Sequence, residues 1–155
     1  MVRGARYAYA ALTWAFVAAI LLQVFFIGLG LFVKPQSFDL HVNFGWLLHL
    51  SSLSIPIAAA LASAGRTRIL LSAGLVIVFF IVPVMAALRA DLPWLAAFHP
   101  VGAVLGFWLA TLLARGAPSL LRSTDTAMAT TRVEWLVVVI VVLAMILLSF
   151  GSPNS

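Results

Sequence analysis

The chain has 155 residues, 65% of them hydrophobic and only 8% charged, with a mean hydropathy of +1.19, so it cannot keep a surface wet and must take the bilayer as its solvent. Its formal charge of +5 is spread over bases that stand singly between apolar runs, which excludes a nucleic-acid surface and suits the loops of a membrane protein. With no cysteine, disulfides, thiolate metal sites and iron-sulfur clusters of the usual ligation are excluded, leaving histidine, methionine and a few carboxylates as metal ligands.

A short basic lead, MVRGARY, precedes an apolar run from about Ala8 to Val33. That run is too long for the core of a signal peptide and no small-residue cleavage site closes it, so it reads as a retained first span. Gln23 is its one interior polar residue and faces protein by this reading. Pro35 stops the helix, and Asp39 is placed to cap the next one. The second span runs from about Leu40 to Ala64, with Ser51, Ser52 and Ser54 able to bond back to helix carbonyls and Pro56 expected to kink it.

The turn SAGRTR carries Arg66 and Arg68 into a third span, about Ile69 to Leu88, with a second expected kink at Pro83. Pro93 opens a fourth span that reads as one helix to Leu113, with Trp94 at its interface end. Residues 115–132 read as a polar linker, and residues 133–155 as a fifth transmembrane helix with a tail. The expected fold is therefore all-α: an integral membrane four-helix bundle over residues 1–114, a cytoplasmic linker and a fifth transmembrane helix. Seven bases fall on the side of the N-terminus and two, Lys34 and Arg89, on the other. The bias predicts the N-terminus inside and the C-terminus outside.

That topology brings all three histidines to the outer half of the membrane. His41, Gly45 and His49 recur at intervals of four and form one helical stripe, while His99 opens the later run FHPVG. At 1.5 Å per residue His41 lies near the interface, His99 roughly 8 Å deep and His49 about 13 Å deep. Residues fifty apart in sequence become neighbours.

A porphyrin is a flat apolar plate with two carboxylates. It needs opposed axial ligands, slim helix faces and positive or hydrogen-bonding groups at the propionate edge. His49 and His99 can supply the axial nitrogens, with Gly45, Gly102 and Gly106 removing side chains along the ring edge and Arg89, Lys34 and His41 near the propionates. His41 with His99 fits the depths almost as well, and Met85 and Gln23 are further candidate ligands. Each feature also has a plainer meaning: intramembrane histidines bond between helices, and Gly102-x-x-x-Gly106 is a packing face.

The run Leu22-Gln23-x-Phe25-Phe26-x-Gly28, the His41-x3-Gly45-x3-His49 stripe and Phe98-His99-Pro100-x-Gly102 resemble an uncharacterised family of small bacterial four-span membrane proteins. More distantly the arrangement is similar to the haem-bearing four-helix bundles of haem A synthase and the membrane b-type cytochromes. The resemblance implies a bundle in the bacterial inner membrane whose His41, His49 and His99 ligate haem. The chain lacks the Glu-x-x-His-Arg type of motif and the duplicated bundle of the synthase, which sets synthase chemistry aside.

Two functions are expected to compete. One is a b-type haem-binding protein or subunit that passes electrons, with quinone as a possible partner. The other is a cofactor-free accessory or scaffold subunit of a larger membrane energy-transducing complex. In either case the chain lies in membrane lipid beside other membrane-protein subunits. A transporter is disfavoured because Asp39, Asp91, Asp125 and Glu134 all sit at span ends. No Ser-His-Asp or paired-carboxylate arrangement supports a hydrolase.

Overall fold

The computed structural model describes residues 2–122 and 132–150, and every regular element in them is helical. Helix α1 (Val2–Phe32) is followed by a 3₁₀ turn (Pro35–Ser37), α2 (Phe38–Ser52), α3 (Ser54–Leu61), α4 (Arg66–Ala87), a short α5 (Pro93–Ala96), α6 (His99–Arg122) and α7 (Arg132–Phe150). Four stretches are long and apolar enough to cross a membrane: Val2–Phe32, Pro35–Leu61, Arg66–Ala87 and Pro93–Arg122. The protein is a multi-span membrane protein of the all-α class.

The four stretches close into a ring of neighbours. Helix α1 packs on α2, α3 and α6, and α4 packs on α2, α3 and α6. Short connections make successive members antiparallel, so α2 and α6 both start at the end where α1 and α4 finish. Helix α7 lies against α3 and α4, with Val138 buried, so it joins this chain's own bundle rather than standing apart from it.

Several boundaries differ from the sequence reading. Asp39 is not the cap of α2: the helix begins at Phe38 after Ser37, and Asp39 stands in the first turn, where a carboxylate favours the positive end of the helix dipole. The second span breaks at Leu53, where Leu53 N–H reaches back only to Leu50 O. Pro56 accounts for the break, since it lacks the N–H that Ser52 O would receive. As the sequence suggested, Ser51 Oγ donates to Leu48 O, Ser52 Oγ to His49 O and Ser54 Oγ to Ser51 O.

The fourth span is likewise two helices. Pro93 opens α5 as expected, but Pro100 denies Ala96 O its partner, and the chain turns at Ala97 and Phe98 before α6 begins at His99. At its other end α6 continues through residues 115–122, assigned above to the linker. Ala114, Ala117 and Leu120 carry its buried face onward, Arg68 donates to Gly116 O and Ser119 Oγ, and Arg6 to Leu120 O. The remaining linker residues 123–131 and the tail 151–155 lie outside the described residues.

The bundle is solid at the end where α1 and α4 start. Tyr9, Ile55, Ala59, Ile69, Leu113 and Ala117 are fully or almost fully buried there. Toward the other end α6 meets α4 through glycine: a Cβ on Gly106 would stand 2.8 Å from Phe79 Cε2, and one on Gly102 would stand 2.6 Å from Val82 Cγ2. Both glycines thus permit a close approach of α6 to α4. Gly106→Ala is expected to destabilise the bundle by roughly 1–3 kcal/mol through overpacking, read as an earlier unfolding midpoint when SDS is titrated into detergent-solubilised protein.

Candidate functional site

Above the packed half the four stretches enclose a cavity of about 620 Å³. Its wall is mostly aliphatic and aromatic, and it includes His41, His49, His99, Gly45, Gly102 and Arg89. Gly106 is not part of it, nor are Met85 and Lys34. Leu21, Val24, Val42 and Val104 belong to the wall and are each about half exposed or more, so the cavity is flanked by the bundle's lipid-facing surface.

Each histidine is tied to a neighbouring helix in the same way. His41 Nδ1 lies 3.2 Å from Gln23 O, His49 Nδ1 3.0 Å from Phe79 O and His99 Nδ1 2.8 Å from Val82 O. A carbonyl only accepts, so each Nδ1 carries a proton, and a ring holding one proton keeps its lone pair on Nε2. Metal-ligating histidines are commonly held in this state by a backbone carbonyl.

What separates the three is the surroundings of Nε2. The imidazoles of His41 and His99 have centroids 6.4 Å apart with planes 73° apart, and both rings are only half-buried. A metal bonds imidazole nitrogen at about 2.0–2.1 Å, so two imidazoles on opposite sides of one ion have ring centres about 6 Å apart. Their helices start at the same end of the bundle, with His41 in the first turn of α2 and His99 at the first residue of α6. Two helix N-termini thus face this end of the cavity, an environment that favours anionic groups, and Arg89 at its rim adds a full positive charge.

His49 is in a different position. It is 5% exposed, its ring lies 3.6 Å from that of Phe80 and 5.3 Å from that of Trp46, and its Nε2 is sealed from solvent with no hydrogen-bond partner. Of the pairings the sequence left open, His41 with His99 is the one whose rings approach closely, at 6.4 Å. The chain turns at Phe98 in place of a continuous helix from Pro93, and His99, the first residue of α6, stands beside His41 in the first turn of α2.

His49 has its own task. Pro83 lacks the N–H that Phe79 O would receive in an uninterrupted helix, and the His49 Nδ1–H supplies the missing donor. The signal for this was present in the sequence as a proline four residues after Phe79, opposite a histidine-bearing span. A second contact escaped the sequence reading altogether. Gln23 Nε2 donates to His41 O at 2.8 Å, and Gly45 leaves room for that amide: a Cβ there would stand 2.9 Å from Gln23 Nε2.

Among the described residues no three His, Cys, Asp or Glu side chains come together as a metal-binding group. A bare copper or zinc ion asks for three or four protein donors. What the structure brings together is two imidazoles, 6.4 Å apart between ring centroids, beside an apolar cavity.

Residues 23–90 match the profile of a family of unknown function (DUF6220). The likeness to an uncharacterised family of multi-helix, membrane-spanning proteins holds over this stretch, which contains Gln23, His41, Gly45, His49 and Arg89 and stops short of His99. No curated protein and no solved structure matches the chain.

The tie between His49 and Pro83 is open to a double-mutant cycle. His49→Phe leaves Phe79 O without its donor and is expected to cost about 1–3 kcal/mol. In a Pro83→Ala background the restored amide serves that carbonyl, and the same substitution is expected to cost much less. Equal costs in the two backgrounds, by SDS unfolding, would detach His49 from the proline.

Proposed function

We propose that the protein is a small b-type haem-binding membrane protein that passes electrons within or beside a larger assembly. The reading rests on one observation, the 6.4 Å approach of the His41 and His99 rings with both Nδ1 atoms committed to carbonyls. His41 and His99 would hold the iron, and haem would supply a one-electron couple there. The chain's own part is to fix both imidazole tautomers and to surround the site with aliphatic residues that keep water away. Arg89 and the N-termini of α2 and α6 stand where propionates would be paired. The lipid-facing wall at Leu21, Val24 and Val42 leaves a lateral approach for a quinone as redox partner.

The arginine bias supports an N-terminus inside and a C-terminus outside the bacterial inner membrane, with α7 as a fifth crossing. The redox site then lies near the outer surface.

A second reading, a cofactor-free accessory subunit of a membrane energy-transducing complex, draws on a different observation. His49, Gly102 and Gly106 are accounted for by packing and carbonyl satisfaction, and α6 leaves Val101, Val104, Leu105 and Trp108 uncovered for lipid or a neighbouring subunit.

A reduced-minus-oxidised absorption spectrum separates the two. Protein expressed with ample haem is expected to show the sharp bands of a six-coordinate b-haem, lost or converted to high spin in His41→Ala and in His99→Ala but kept in His49→Phe. A wild type without a visible chromophore would move the assignment to the accessory subunit. Retention of the low-spin spectrum in His41→Ala would return the ligand role to His49.

A further inference from the structure

The geometry points to Gln23 as the positioning residue for His41, acting through a two-way clamp for which Gly45 provides the space; this rests on the haem reading of the site. The backbone carbonyl of Gln23 accepts the Nδ1–H of His41, and the side-chain amide of Gln23 donates to the backbone carbonyl of His41. The two residues thus exchange bonds in both directions across the α1–α2 contact. His49 and His99 have no such return bond, because the residues that accept from them, Phe79 and Val82, have apolar side chains.

Three features indicate that the amide serves the ligand rather than filling space. The His41 Nδ1 bond is the longest of the three histidine–carbonyl bonds, 3.2 Å against 3.0 and 2.8 Å, so it depends most on the two helices holding their register. The Gln23 Oε1 atom is buried without a partner, so the amide keeps its place through the donor on Nε2 while its acceptor goes unsatisfied. Finally, the position facing the amide is Gly45, where even one methyl group would press on Nε2 at 2.9 Å. The histidine stripe of α2 carries glycine between its two imidazoles for the sake of Gln23.

The consequence is electronic. A firm Nδ1–H···O bond makes the opposite nitrogen a stronger donor to a bound metal and favours the oxidised state. When the clamp is released, α2 can slip on α1, this bond lengthens, and the couple shifts toward the reduced state.

The test is a cycle of Gln23→Ala, Gly45→Ala and the double variant, each checked for native helicity and monodispersity in detergent. Gln23→Ala is expected to raise the midpoint potential and to weaken haem retention about tenfold. Gly45→Ala is expected to move the potential in the same direction, because only the flexible amide has to give way. In the Gln23→Ala background, where no amide faces position 45, it should do nothing further. In the haem-free chain the same variants are read by ¹⁵N NMR of the His41 ring, where Gln23→Ala is expected to mix the two tautomers. Wild-type potential and tautomer in Gln23→Ala would overturn the inference, as would Gly45→Ala effects of equal size in both backgrounds. A wild type with no Soret band would sink the haem reading alone, and the tautomer measurement would then decide the clamp.

Discussion

Inside a bilayer a backbone carbonyl deprived of its helical partner has no water to turn to, so some group of the protein must replace the missing N–H. Much of this bundle follows from how that demand is met. Pro83 strips Phe79 O of its partner and His49 answers from the neighbouring helix. Where the chain breaks at Leu53, Ser52 Oγ takes His49 O. At the far end of α6, Arg6 takes Leu120 O in the last turn, and Arg68 adds a bond to Gly116 O one turn earlier, so two arginines that the charge pattern marks only as topology signals also tie down that helix end. Each of these bonds joins distant parts of the chain or seals a break in it, and together they fix how the spans sit against one another.

Glycine and histidine act as a pair in this scheme. The carbonyls that receive imidazole protons belong to Gln23, Phe79 and Val82. The side chains of the same three residues are what a Cβ would strike at Gly45, Gly106 and Gly102. A carbonyl on one helix comes within reach of an imidazole on another only where the helix surfaces are thin, and the missing side chains make them thin. This explains why these three glycines and the histidines share one half of the bundle. The other half is held by ordinary packing of Tyr9, Ile55, Ile69 and Leu113.

Much of the architecture was legible in the sequence because it depends on quantities that sequence carries directly. Helical class and the first four spans follow from apolar length, and the breaks at Pro35 and Pro56 and the back-bonding serines follow from local chemistry. The depth order of the histidines was less secure. It assumed a continuous helix from Pro93, whereas the chain turns at Ala97 and Phe98, and His99 opens a new helix with its ring 6.4 Å from that of His41. The choice between His41 and His49 could not be made from periodicity, since four-residue spacing puts both on one stripe. What separates the two in the structure is their neighbours: His49 bonds to the Phe79 carbonyl that Pro83 leaves free, while His41 bonds to Gln23 O on α1. The extent of α6 was hidden for a similar reason, because the donors that complete it, Arg6 and Arg68, lie about fifty to more than a hundred residues away.

The same reasoning separates two kinds of intramembrane histidine within a single helix. Both begin alike, with Nδ1 donating to a carbonyl and a lone pair left on Nε2. At His49 that nitrogen is sealed from solvent, with the ring packed on Phe80 and Trp46, while Nδ1 satisfies Phe79 O. Two turns away, at about 12 Å, His41 keeps its ring half-open in a cavity whose opposite wall carries His99 in the matching state. A carbonyl-bonded Nδ1 therefore does not by itself distinguish a structural histidine from a ligand. The distinction lies in the surroundings of the other nitrogen: at His49 it is sealed from solvent, while the half-buried rings of His41 and His99 approach each other to 6.4 Å.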